Sequence, residues 1–125
     1  MKKIHDVYFP RYDDDVVSER RTLFHLPVGD RAWTAGDSLR LLAGPRSPRC
    51  KTGVLIDVRQ VGLCSEIDAD LAKLCVADRA AYLAHWDVLH PGLPSAGDPT
   101  VLRIEFRYGA WEADPADPPE WSLAS

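Results

Sequence analysis

A chain of 125 residues makes one domain, long enough to bury a single core without disulfides or metal. An apolar share of 46 % and a charged share of 27 % are ordinary for a globular protein, and a net charge of −4 excludes nucleic-acid binding by bulk charge alone. No apolar stretch follows Lys2-Lys3 and none approaches a membrane span, so neither a secretion signal nor a membrane anchor is expected; three cysteines (Cys50, Cys64, Cys75) with no C-x-x-C spacing argue against zinc or a disulfide framework and fit a reducing cytoplasm.

In chain order, residues 3–9 read as a first strand. Pro10 suits the first turn of a short helix. Asp13, Asp14 and Asp15 favour the positive end of its dipole, and Tyr12, Val16 and Val17 recur at helical spacing. Thr22–Leu26 alternates as a strand. Pro27–Asp30 and Ala35-Gly36-Asp37 are turns, with Asp37 bonding its own backbone. Ser38–Ala43 is a strand with Leu39 and Leu41 on one side and Arg40 on the other. Residues 44–51 form a loop held open by two prolines. Gly53–Val61, rich in β-branched residues, is the strongest strand.

Two helices follow. Asp68 or Asp70 caps the first, which runs through Lys73. Asp78 caps the second, whose apolar spacing includes Trp86, and His90-Pro91-Gly92 ends it. Thr100–Tyr108 alternates, with Leu102, Ile104 and Phe106 on one face and Val101, Arg103, Glu105 and Arg107 on the other. Gly109–Ser125 reads as an irregular tail, part of which docks through Trp111 and Trp121.

Charge is uneven. Residues 1–107 carry 15 bases and 15 acids, and the tail adds Glu112, Asp114, Asp117 and Glu120 with no base. Arg40, Arg46, Arg49 and Lys51 lie between Asp37 and Asp57 with no intervening acid, and Arg59 lies just beyond. This is a positive patch suited to phosphate, or simply a solvated loop.

The element order predicts an α+β fold, a small twisted barrel with short flanking helices. Phe9-Pro10-Arg11-Tyr12, the acidic helix, Arg20-Arg21-Thr22 and Trp33-Thr34-Ala35-Gly36-Asp37 together resemble the start of the ASCH domains, a branch of the PUA-like β-barrels. The likeness is nearest to the small bacterial acetylcytidine amidohydrolases. It runs over roughly residues 4–107, so residues 1–108 are expected as the ASCH-like domain and 109–125 as an appended acidic tail. The resemblance implies RNA or a modified nucleoside or nucleotide as partner.

In those relatives a Lys stands at the position of Arg21, a Thr at that of Phe24, and an acid near Cys75 or Val76. Arg21 stays charged and cannot be a general base, and Phe24 has no hydroxyl, so the amidase set is altered. The remaining candidates for chemistry are Arg21, His25, Cys75 and Asp78. His25 is either a base poised near neutral pH or a packing residue, and Cys75 either a nucleophile or a buried inert thiol. Arg11, Arg20, Arg21, Thr22, Trp33, Arg46, Arg49 and Lys51 are the candidates for ligand binding. Arg20 and Arg21 either clamp a phosphate or base edge or pair with Asp13, Asp14 or Glu19, and Trp33 either stacks on a base or packs in the core. No metal site and no cofactor are expected, since no phosphate loop, dinucleotide fingerprint, Ser-His-Asp set or H-E-x-x-H occurs. Three functions remain: binding of RNA or a nucleoside through a basic groove; hydrolysis of acetylcytidine or RNA with a rearranged catalytic set; and protein interaction or regulation through the tail.

Overall fold

The computed structural model describes residues 3–9, 15–16, 18–42, 50–109 and 120–123. The strands are β1 (Ile4–Tyr8), β2 (Leu23–Pro27), β3 (Ser38–Leu42), β4 (Cys50–Gly62), β5 (Thr100–Tyr108) and β6 (Glu120–Leu123). Two helices, α1 (Ile67–Leu74) and α2 (Arg79–Leu89), separate β4 from β5. The strands form one mixed sheet in the order β2-β5-β4-β3-β1-β6, with β1 parallel to both β3 and β6 and the other pairs antiparallel.

The sheet is strongly curled. In a flat sheet β1 and β2 would be about 19 Å apart, four strand spacings. Yet the ring of Phe9, directly after β1, lies 5.5 Å from that of Phe24 on β2. The inward side chains therefore fill a barrel: Val7, Phe9, Phe24, Leu39, Leu41, Leu55, Ile104 and Phe106, with Val16 from the acidic segment. The two faces expected for β5 are observed, since Leu102, Ile104 and Phe106 belong to this interior while Val101 packs outside with Leu23, Leu63, Ile67, Leu74, Tyr82 and Trp86 under the helices.

Two glycines are tied to local geometry. Gly36 takes φ 95° in the turn into Asp37, a conformation costly for a side chain-bearing residue. A Cβ on Gly53 would stand 2.8 Å from the carbonyl oxygen of Arg107, where β4 and β5 close in.

Several boundaries differ from the sequence reading. The strand expected from Gly53 starts at Cys50, because Cys50 and Lys51, assigned to a loop, pair with Leu42 and Leu41. Its alternation breaks at Ile56, an unpaired residue between Leu55 and Asp57 that is 47 % exposed, so Val58 returns to the interior side. Neither Asp68 nor Asp70 caps α1: the helix starts at Ile67 after Glu66, and Asp70 is spent on a buried ion pair. Asp78 does cap α2, accepting from the Ala81 N–H at 2.8 Å. The tail expected as irregular contributes β6, which pairs with the otherwise open edge of β1. The helix start expected at Pro10 and the docking expected of Trp111 lie outside the described residues. Among the described residues no helix is long and apolar enough to cross a membrane.

Candidate functional site

At the end of the barrel marked by Phe9, four segments converge. The Phe9 N–H donates to Leu42 O at 3.0 Å, joining β1 to the end of β3. The connection leading into β2 is clamped from both sides, with Thr22 N–H donating to Lys73 O and Phe106 N–H to Thr22 O, each at 3.0 Å. Arg20 and Arg21 N–H both donate to Asp15 O, at 2.9 and 3.3 Å, which fixes the turn after the Asp15–Val16 helical residues.

Arg21 is fully buried. Its Nε–H donates to Leu23 O at 3.0 Å, and its guanidinium lies 4.9 Å from the centroid of the Phe9 ring, within cation–π range. The Tyr108 hydroxyl donates to Arg21 O at 2.5 Å. Burial, and then the neighbouring Glu19, push the Tyr108 hydroxyl well above its ordinary pKa, so it remains a donor.

Among the described residues, two bases of this end are paired with acids. Arg20 Nη2 meets Asp15 Oδ1 at 2.9 Å, and Lys51 Nζ meets Glu19 Oε2 at 3.1 Å. The partner of Arg20 is thus Asp15, where the sequence pointed to Asp13, Asp14 or Glu19. Glu19 itself adopts φ 60°, in the left-handed region.

Cys75 closes α1 in the left-handed conformation (φ 57°), half-buried, with Sγ 3.7 Å from Ala72 O. Burial, and next the Asp15 charge, push its thiol up against the opposing pull of Arg21 and Arg20. A thiol raised in this way is a poor nucleophile at neutral pH. Arg20, Arg21, Thr22, Lys51 and Cys75 are therefore gathered at one place, together with Asp15, Glu19 and Tyr108.

The other candidates lie elsewhere. Trp33 stacks on His5 (3.9 Å between centroids, 13° between planes), and His5 is four residues, about 13 Å, back along β1 from Phe9. Trp33 also meets Phe24 edge-on at 6.4 Å between centroids, and the Phe24 ring stands between it and Phe9, over which Arg21 lies. His5 is buried and donates from Nε2 to Asp37 Oδ2 at 2.8 Å, while Nδ1 accepts from Arg31 Nε–H at 2.8 Å. Those two bonds specify the neutral Nε2–H tautomer, and burial keeps the ring neutral by lowering its pKa. Asp37 also accepts from Thr34 N–H at 3.1 Å, the turn bond expected of it. The Arg31–His5–Asp37 chain was not read from the sequence, since Arg31 and His5 stand in separate elements.

His25 faces away from Phe24, under the helices, fully buried, with Nδ1 2.6 Å from the Tyr82 hydroxyl. Burial drives its pKa down to about 4. It is a packing histidine. Asp78 is an exposed helix cap. Arg11, Arg46 and Arg49 lie outside the described residues. Among the described residues no group of three or more side chains is arranged to hold a metal ion.

The outer face of β5 carries a charged network. Arg103 grips Asp70 of α1 through two bonds of 2.8 Å, and reaches Asp57 at 3.3 Å and Glu105 at 3.5 Å. Arg103 and Asp70 are both buried, so this pair ties α1 to the sheet.

No family model matches the chain, and no curated protein matches it. Among solved structures, the hypothetical protein PH0355 superimposes with a TM-score of 0.65 at 10 % identity, covering 85 % of this chain and 99 % of that one. A point mutant of the ZmASCH protein from Zymomonas mobilis superimposes with a TM-score of 0.60 at 9 % identity, covering 85 % of this chain and 70 % of that one. The chain thus has an ASCH-like fold, an α+β, PUA-like twisted barrel, as the residues of its first third led one to expect.

Proposed function

We propose that the chain is an ASCH-type binding module whose ligand, a nucleoside, a nucleotide or a stretch of RNA, sits at the Arg21 end of the barrel. The observation that carries this reading is the gathering there of the accessible bases Arg20 and Lys51 near the half-buried Tyr108, above the buried Arg21 and Phe9. Guanidinium and ammonium donors beside aromatic rings suit a base with its polar edge.

Equilibrium titration with nucleosides, nucleotides and a short single-stranded RNA tests it. Arg20→Ala combined with Lys51→Ala keeps the interior intact and is expected to weaken binding by about 1–3 kcal/mol for each strong hydrogen-bonded interaction removed. An unchanged affinity in that folded variant removes the reading.

Amide hydrolysis receives less support. The position of the relatives' threonine is Phe24, wholly buried against Phe9, Phe106 and Trp33. Phe24→Thr with Arg21→Lys would restore those residue types, but emptying this site is expected to cost about 3–5 kcal/mol of stability. We expect no acetylcytidine turnover from the native chain by a discontinuous product assay. Robust turnover would show that other residues have taken over the chemistry.

A further inference from the structure

Both halves of the connection between β2 and β3 meet on one buried imidazole. His5 of β1 is wholly buried. Its Nδ1 accepts from Arg31 Nε–H at 2.8 Å, and its Nε2 donates to Asp37 Oδ2 at 2.8 Å. Trp33, which lies between those two partners in the chain, stacks flat on the ring. Each partner carries further bonds. Arg31 Nη2 donates to Ile4 O at 2.8 Å, and Asp37 accepts from the backbone N–H of Thr34 at 3.1 Å and of Lys3 at 3.2 Å. The chain around Arg31 is otherwise open to solvent, with Val28, Gly29, Asp30 and Ala32 all exposed. Arg31, Trp33 and Asp37 thus fasten the connection to the first residues of β1.

The two ring nitrogens respond differently to a proton. Nε2 already carries hydrogen, and a cationic ring still donates to Asp37. Nδ1 has a single lone pair, and Arg31 Nε–H occupies it. A proton there would set N–H against N–H and one cation beside another. The charges around the ring are Arg31 and Asp37 from the connection and Lys3 from the chain entering β1, with Glu120 its register neighbour on β6. Trp33 does not oppose the change, because an aromatic face attracts a cation. Of the partners bonded to the ring, Arg31 is the one a proton displaces. We propose that His5 is a proton-operated latch: a proton and the Arg31 guanidinium compete for Nδ1, and acidification frees Arg31 and the stretch Val28–Ala32 from β1 while the Asp37 turn and the Trp33 stack stay in place. The latch uses none of the side chains assigned to the ligand site, so it does not depend on the binding reading.

Nuclear magnetic resonance of the 15N-labelled chain, titrated from about pH 7.5 to about pH 4.5, tests the latch. At the upper limit the imidazole nitrogen shifts are expected to show the Nε2–H tautomer, with Arg31 Nε–H protected from exchange with solvent. Because proton and guanidinium exclude each other at Nδ1, that protection is expected to fall by up to about tenfold for each pH unit below about 6.5, the ordinary value for a freed ring. Backbone relaxation is expected to show faster motion at residues 29–32, with the amides of β5 still protected. His5→Gln keeps an acceptor and a donor but does not titrate, and is expected to hold Arg31 across the range. Arg31→Met removes the competitor and is expected to move the His5 titration upward. The native titration decides by itself if either variant fails to fold. Protonation of His5 with Arg31 Nε–H still protected, loss of that protection only together with the β5 amides, or release of Arg31 at the native pH in a folded His5→Gln chain overturns the proposal.

Discussion

The buried imidazole of His25 makes stability depend on pH in a window that can be worked out from the structure. The ring is 1 % exposed between β2 and α2, bonded to the Tyr82 hydroxyl, and burial lowers its pKa from 6.5 to about 4. In the unfolded chain the same ring takes a proton as the pH falls through 6.5. Between 6.5 and about 4 the unfolded state therefore binds more protons, and stability falls as the pH falls. At 1.36 kcal/mol for each tenfold change in proton affinity, the full loss is about 3 kcal/mol, complete below about pH 4. His5 and His90 are also lowered by burial and lose stability in the same direction, so the native curve alone does not isolate His25. His25→Gln does, because an amide can still bond the Tyr82 hydroxyl and does not titrate. Urea unfolding at steps from pH 7 to pH 4 is expected to give a variant curve flatter than the native one by about 3 kcal/mol over that range. Two parallel curves would refute the reasoning, since they would mean that His25 is protonated in the folded protein at no extra cost.

Breaking the Arg103–Asp70 pair is expected to destabilise the chain by about 3–5 kcal/mol in urea titrations, with Arg103→Ala costing more than Asp70→Ala. The asymmetry follows because Asp57 and Glu105 remain near Arg103 when Asp70 is removed, and equal losses would show that those neighbours contribute nothing. Burial pushes the Asp70 carboxyl up, but its hydrogen bonds to Arg103 together with the charge of Arg103 and nearby cations outweigh that and leave it below its ordinary 3.8; its stabilisation is present above that value and is lost as the pH falls below it. Deleting residues 110–125 removes β6 and bares the edge of β1, so light scattering should show concentration-dependent association. A monomeric truncated chain at every concentration would mean that the edge is protected some other way.

Much of the architecture was legible because it is written in short-range pattern. Alternation over residues 100–108 predicts both the limits and the faces of β5, since a strand's side chains repeat every two residues. Asp78 announces α2 and Gly36-Asp37 announces a turn for similarly local reasons. What could not be read depends on residues far apart in the chain. Asp70 has the spacing of a helix cap, and only the placement of β5 beneath α1 turns it into the partner of Arg103. Arg21 has the sequence context of an exposed clamp, yet the curling of β1 towards β2 brings Phe9 over it and closes it off. Trp33 shares a motif with Arg20-Arg21-Thr22 in sequence, but only the folded barrel shows that it stacks on His5 and packs edge-on against Phe24.

The strand order also dictates when the protein can become a barrel. Among the described residues β2 pairs with β5, residue 23 with 105, and the outer edge of β1 with β6, residue 5 with 120. Of the pairings in the sheet, β3 with β4 is the one that local hairpin closure can form early. During synthesis β1 can pair with β3 early, but β2, with Phe24, must wait for β5, and the outer edge of β1 for β6. Closure of this kind must order long loops before β2 and β6 find their partners, a topology that slows folding.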